Sequence, residues 1–93
     1  MELIRNDARR RFEATVDAHT GALMYRESGD RVALIHTEVP PELRGRGIAD
    51  ALARAALEDA RRRGLRVRPL CPFVQAFMKR HPEYADLAAP AAP

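Results

Sequence analysis

Between residues 10 and 39 apolar and polar positions alternate, with turn signals at short intervals, and this two-residue period predicts antiparallel strands. In residues 11–17 the side chains of Phe12, Ala14 and Val16 share one face. A turn over residues 18–21 leads into a second strand at 22–26. Ser28-Gly29-Asp30 then predicts a hairpin turn, because glycine takes the positive φ that such turns need. Residues 31–39 read as a longer strand, apolar on both faces near its middle as a central strand is. Leu3 and Ile4 offer a short edge strand.

From residue 47 to 63 the period lengthens to that of a helix, with Ile48, Leu52, Ala55, Ala56 and Ala60 along one side. Asp50, Arg54, Glu58 and Arg62 stand four apart on the other side with alternating sign, which predicts surface ion pairs of about a few tenths of a kcal/mol each. Gly64 fits a left-handed cap, and Arg61-Arg62-Arg63 before it complements the negative end of the helix dipole. Residues 65–71 give a short strand reached by a helical crossover, which predicts parallel pairing with strand 31–39. Proline is favoured at a first helical position, so Pro72 starts a second helix, with Phe73, Val74, Phe77 and Met78 as its stripe and Pro82 as its stop. After Leu87 only Ala and Pro remain, and a disordered tail is expected over residues 88–93. The pattern as a whole predicts an α+β fold: a mixed, mostly antiparallel sheet with two main helices.

A chain of 93 residues holds one domain, here residues 1–87, with a thin core. No apolar run approaches the ~20 residues that cross a bilayer, and the N-terminus lacks the apolar segment of a secretory signal. The expectation is a cytoplasmic protein that does not engage membranes. Cys71 is alone, so no intrachain disulfide forms and a Cys-rich zinc module is excluded; three scattered histidines give no ligand spacing, and no metal is expected. The net charge of +3 comes almost wholly from arginine, since Lys79 is the only lysine, and arginine suits bidentate phosphate contact. Nucleotide cofactors and nucleic acid both match that charge. Aromatic residues at 5% and the absence of Trp supply few stacking platforms, which disfavours nucleic acid.

The segment Val39-Pro40-Pro41-Glu42-Leu43-Arg44-Gly45-Arg46-Gly47-Ile48-Ala49 joins the longest strand to the longest helix. A helix start carries bare N–H groups and a partial positive charge, and glycines there let a ligand touch the main chain, so the junction favours an anion. Arg44 and Arg46 add full charges. The pattern lacks the Gly-Lys-Ser/Thr ending of a nucleotide P-loop and the third glycine of a dinucleotide fingerprint.

Arg44-Gly45-Arg46-Gly47-Ile48-Ala49 resembles the Arg/Gln-x-x-Gly-x-Gly/Ala signature with which the GNAT acyltransferase superfamily binds the pyrophosphate of coenzyme A. Thr37-Glu38-Val39-Pro40, Leu70-Cys71-Pro72-Phe73 and Arg80-His81-Pro82-Glu83-Tyr84 look like segments of the small YjdJ-type branch, and the resemblance runs from about residue 8 to 87. It implies a GNAT-like fold, minimal in lacking much of the acceptor lobe, with a shallow acceptor groove. It further implies acetyl-coenzyme A as cofactor, an amine acceptor (protein or small molecule), Arg44, Gly45, Arg46, Gly47, Ile48 and Ala49 on the pyrophosphate, and main-chain contact from Glu38 and Val39 to the pantetheine arm. The thioester would emerge between strands 31–39 and 65–71. Where many of these enzymes carry a tyrosine acid on the last helix, this chain has Phe77.

Cys71 ends the second of those strands at the N-cap of the last helix, a position that favours the nucleophilic thiolate; a packed, inert core cysteine fits the same place. The resemblance implies a role as acetyl acceptor. His36 and Glu38 alternate onto one face of the central strand, where either serves as general base or as a structural polar group. Tyr84 is a proton donor to the leaving thiolate or a docking aromatic. The function expected is acetyl transfer to an amine, directly or through Cys71. An acyl-coenzyme A binding or sensing module ranks second, and an arginine-rich nucleic-acid module using residues 61–63, Arg66 and Arg68 third. Monomer and homodimer both fit.

Overall fold

The computed structural model describes residues 1–89. Five strands, β1 (Glu2–Asn6), β2 (Arg11–Val16), β3 (His19–Ser28), β4 (Arg31–Glu38) and β5 (Arg66–Pro69), form one sheet in sequence order. Every neighbouring pair is antiparallel except β4 and β5, which run parallel across the crossover helix α1 (Ile48–Arg63). Helix α2 (Pro72–Arg80) follows β5, and short 3-10 turns occupy Pro41–Leu43 and Pro82–Leu87. The α+β expectation holds, including the edge strand and the parallel pair.

The core lies on one face of the sheet. Phe12, Ala14, Leu23, Tyr25, Val32, Leu34 and Val67 are buried there against Leu52, Ala56 and Leu57 of α1 and Val74 and Phe77 of α2. Burying a side chain of this size contributes about 1.5–3 kcal/mol. The other face carries no helix among the described residues, and Ile4 at the edge is 45% exposed.

Three local departures bear on the site. The turn expected over 18–21 is the tighter pair Asp17 and Ala18, with φ of 49° and 66°, and β3 begins at His19. Positive φ at both central residues matches the twist of a two-residue hairpin even without glycine, so Gly21 falls inside the strand. Second, Met24 faces His36 and Tyr25 faces Leu34, so Ile35 is an extra residue in β4. A bulge of this kind shifts the alternation by one. Thr37, not His36, therefore continues the core face of Val32 and Leu34, and His36 and Glu38 turn to the uncovered face.

Third, the ion pairs expected along α1 do not form among themselves. Asp50 meets Arg80, Arg54 and Glu58 both meet the Tyr84 hydroxyl, and Arg62 bonds Asp59 three residues back. Buried Asp59, on the core side, also takes Arg5 and Arg63. Spacing along the helix permits the local pairs, but tertiary partners supply more bonds. Gly64, at φ 68°, closes α1 with its N–H on the Ala60 and Arg61 carbonyls, as expected. The expected tail is corrected at its start. Leu87 is buried, Ala88 bridges Val67 in parallel, and the Ala89 N–H donates to the Val67 carbonyl at 2.7 Å. Residues 90–93 of that expected tail lie outside the described residues.

Candidate active site

Because β4 and β5 are parallel, they end at the same edge of the sheet, and α1 and α2 both begin there. Ligands of such sheets bind outside the carboxyl ends of the strands, where helix N-termini and loops converge. A cleft of about 240 Å³ opens at this edge, lined by Val39, Leu43, Arg44, Gly45, Gly47, Ile48, Ala49, Asp50 and Phe73. The chain leaves β4 through Pro40 and a single 3-10 turn that buries Leu43, then passes Arg44 in extended conformation. Gly45 and Gly47 follow at φ 78° and 73°, a region closed to most side chains, and Gly47 is the N-cap of α1 without a side-chain cap. Among the described residues no main-chain carbonyl accepts from the Gly45, Arg46 or Gly47 N–H, and the first N–H groups of α1 have no intrahelical partner by construction. The donor set fits an anion. Arg46 lies 3.6 Å from Asp17, and Asp50 is held by Arg80 at 3.4 Å, so carboxylates occupy two of the nearby cations.

A larger hollow of about 430 Å³, lined by Asp7, Arg10, Tyr25, Arg26, Glu27 and Arg63, lies at the opposite end of β3 and apart from these residues.

Pairing between β4 and β5 ends at Leu34 and Pro69. The N–H groups of Leu70 and Cys71 both turn onto the Leu34 carbonyl, at 2.9 Å each, and β4 continues to Glu38 with β3 alone. The two strands part at this point, as expected. Cys71 is the N-cap of α2, but its side chain caps nothing; it is 3% exposed, with Sγ 3.3 Å from Thr37 Oγ1. On the uncovered face, His36 Nε2 stands 3.3 Å from Glu38 Oε1, both side chains well exposed. The bulge therefore separates the candidates: Cys71 and Thr37 on the helix side, His36 and Glu38 on the open side.

Tyr84 is not brought to this gap. It is buried in the Pro82–Leu87 turn, where its hydroxyl donates to Glu58 Oε2 at 2.6 Å and accepts from Arg54 Nη1 at 3.0 Å. Burial first, and then the bond to Glu58, raise its pKa above the ordinary tyrosine value. The expectation of Tyr84 as proton donor is corrected accordingly: its proton is committed to Glu58, and its ring packs beside Phe77 with Arg54 and Arg61 over it. The basic triplet is likewise engaged. Arg61 bonds Asp86 and the Glu83 carbonyl, Arg63 bonds Glu27 and Asp59, and Arg66 donates to the Asp86 carbonyl.

The family model described as GCN5-related N-acetyl-transferase matches residues 11–87. The chain belongs to the GCN5-related N-acetyltransferase family. Among curated relatives, Protein NATD1 of Bos taurus is 42% identical over 83 residues, which is 85% of this chain and 74% of the relative. Protein NATD1 of Homo sapiens is 40% identical over 83 residues, again 85% and 74%, and that of Danio rerio 39%, covering 84% and 76%. The NMR solution structure of a GCN5-like protein from Staphylococcus aureus superposes with a TM-score of 0.73 over 98% of this chain and 90% of its own; at 24% identity this likeness concerns the fold.

Four residues that line or adjoin this cleft are not assigned to it by the sequence: Leu43, Asp50, Phe73 and Thr37. Phe73 packs against the core as the α2 stripe predicts and, as the first residue after Pro72, also reaches the cleft. Its place in the Leu70-Cys71-Pro72-Phe73 segment was the available signal. Thr37 had a comparable signal in the Thr37-Glu38-Val39-Pro40 segment, but its inward direction comes only from the bulge. No helix of the described residues is long and apolar enough to cross a membrane, and no group of three metal-ligating side chains occurs among them.

Proposed function

We propose that the protein is a cytoplasmic, acetyl-coenzyme A-dependent N-acetyltransferase of the small YjdJ-type branch, acting on an amine. The observation that carries this reading is the cleft itself. Unsatisfied N–H groups at two positive-φ glycines and a helix start, with Arg44 and Arg46 beside them, adjoin two parallel strands that part at Leu34. A pyrophosphate suits the N–H groups of residues 45–49, and the unpaired edge of β4 at Glu38 and Val39 suits an extended amide-bearing arm. Coenzyme A supplies the activated acetyl thioester. The acceptor amine enters from the uncovered sheet face, where His36 and Glu38 stand within 3.3 Å of each other and take its proton. On the acetyl thioester that coenzyme A would supply here, the C–N bond would form as the C–S bond breaks, and the second proton of the amine nitrogen would leave with the coenzyme sulfur as the free thiol. Strand-end N–H groups stabilise the developing oxyanion. The engagement of Arg61, Arg63 and Arg66 in internal ion pairs and carbonyl bonds argues against the nucleic-acid reading.

One observation favours a second route. Cys71 occupies the N-cap position of α2 at the gap, a place that supports passing the acetyl group first to its sulfur, either as an intermediate or as the stable end state of a binding and sensing module. Its 3% exposure supports direct transfer instead. Incubation with acetyl-coenzyme A and no acceptor, followed by intact-mass measurement with Cys71→Ala as control, separates them. Direct transfer predicts saturable cofactor binding without an adduct on Cys71. A rapid adduct there, discharged by added amines, overturns it, and absence of binding overturns the cofactor reading.

A further inference from the structure

Gly21 sits inside β3, on the core face, without a positive φ, so conformational freedom is not what it provides there. What it provides is space. A Cβ at this position would stand 3.0 Å from Ile48 Cγ2, 3.4 Å from the Glu38 carbonyl oxygen and 3.6 Å from Leu52 Cδ1. The first distance is well inside ordinary carbon–carbon contact, near 3.5–4.0 Å. Ile48 is the first residue of α1 and lines the cleft, and Glu38 is the last residue of β4. One missing methyl group thus lets the start of α1 settle onto the sheet beside the end of β4, and both walls of the cleft meet over it.

We infer that Gly21 is a positioning residue for the cofactor: it sets the distance between the first turn of α1 and the end of β4, and through that distance the alignment of the N–H groups of residues 45–49. The inference rests on the cofactor reading given above. Ile48 is 3% exposed, and in a helix its β-branched side chain is held to one χ1 rotamer, so Cγ2 does not swing clear of an added Cβ; the helix start moves outward instead. Donor groups displaced by a few tenths of an ångström still form hydrogen bonds, but no longer converge on one anion.

The test is calorimetric titration of acetyl-coenzyme A into the wild-type chain, Gly21→Ala, Ile48→Leu and the double variant, with a thermal melt of each. Ile48→Leu removes the branch methyl that the new Cβ would strike. Gly21→Ala is expected to weaken binding on the order of tenfold, and Gly21→Ala in the Ile48→Leu background to differ from Ile48→Leu alone by less than about twofold. Thr20→Ala, one residue away on the exposed face, leaves affinity at the wild-type value. Wild-type affinity in Gly21→Ala overturns the inference, as does a loss that Ile48→Leu leaves intact. Should Gly21→Ala fail to fold alone, the comparison within the Ile48→Leu background decides: recovery of folding and binding supports the steric route, and its absence overturns it. A wild-type chain that binds no cofactor refutes the parent reading first, and is recognised by that single titration.

Discussion

Asp50 is the one carboxylate lining the cleft, in the first turn of α1, and Arg80 reaches it from the end of α2 at 3.4 Å. Its removal by Asp50→Asn should move stability and binding in opposite directions. An acid in the first turn complements the helix dipole by about 0.3–1 kcal/mol, and an exposed ion pair such as that with Arg80, each side chain more than half exposed, adds at most about 1 kcal/mol. A loss of about 1 kcal/mol shifts the melting midpoint of a domain this size by about 4–8 °C. For binding the sign reverses. For two unit charges about 7 Å apart, the separation taken here for Asp50 and a phosphate on that turn, an effective dielectric of about 60 gives a repulsion of about 0.8 kcal/mol, roughly a factor of four. Arg80, released, adds attraction of the same order. Acetyl-coenzyme A should therefore bind Asp50→Asn about three- to tenfold tighter at low salt, and the advantage should fade near 0.5 M salt, where the Debye length is about 4 Å. Arg80→Gln should show the reverse, and the double variant should return near wild type. Calorimetry at low and high salt, with melts of each protein, measures all of this. Unchanged or weaker binding of Asp50→Asn at low salt would refute an anion seated on the start of α1.

Tyr84→Phe should cost about 1–2 kcal/mol of stability, because Glu58 and Arg54 lose a shared partner, while turnover stays within about twofold; a catalytic acid would instead show a loss of about a hundredfold without destabilisation. The melting midpoint should fall in acid: Asp7, Glu13 and Asp86 are held below their ordinary values by bonds from Tyr25, Arg11 and Arg61, so their contribution is full above pH 3.8 to 4.5 and is lost as pH drops through the lower folded values. Arg61→Gln should flatten that acid slope, and an unchanged slope would contradict the assignment. Burial and Asp7 push Tyr25 up to about 12, so its contribution is present below pH 10 and lost between there and 12, and Tyr25→Phe should remove that alkaline decline in a pH series of melts.

The periodicity of the chain was sufficient for the architecture. Alternation fixed which side of β2 turns inward, because burial on one face leaves no freedom of register. The helical period over residues 47–63, the proline at 72 and the glycine at 64 marked where helices start and stop to within a residue, because those residues act through their own backbone geometry. The glycine loop before α1 was legible for the same reason: what it offers is main-chain N–H groups and glycines at positive φ, which sequence records directly. What depended on two distant segments was not legible. The extra residue Ile35 exists only relative to β3, and it alone decides that Thr37 faces Cys71 while His36 and Glu38 face outward. The commitment of Tyr84 to α1, the exchange of local ion pairs for tertiary ones, the reach of Phe73 and Asp50 into the cleft and the close approach of Ile48 to Gly21 belong to the same class. Local propensity is a property of neighbours in sequence, whereas a cavity, a bulge or a buried hydroxyl's partner is set by elements that meet only when the chain has folded.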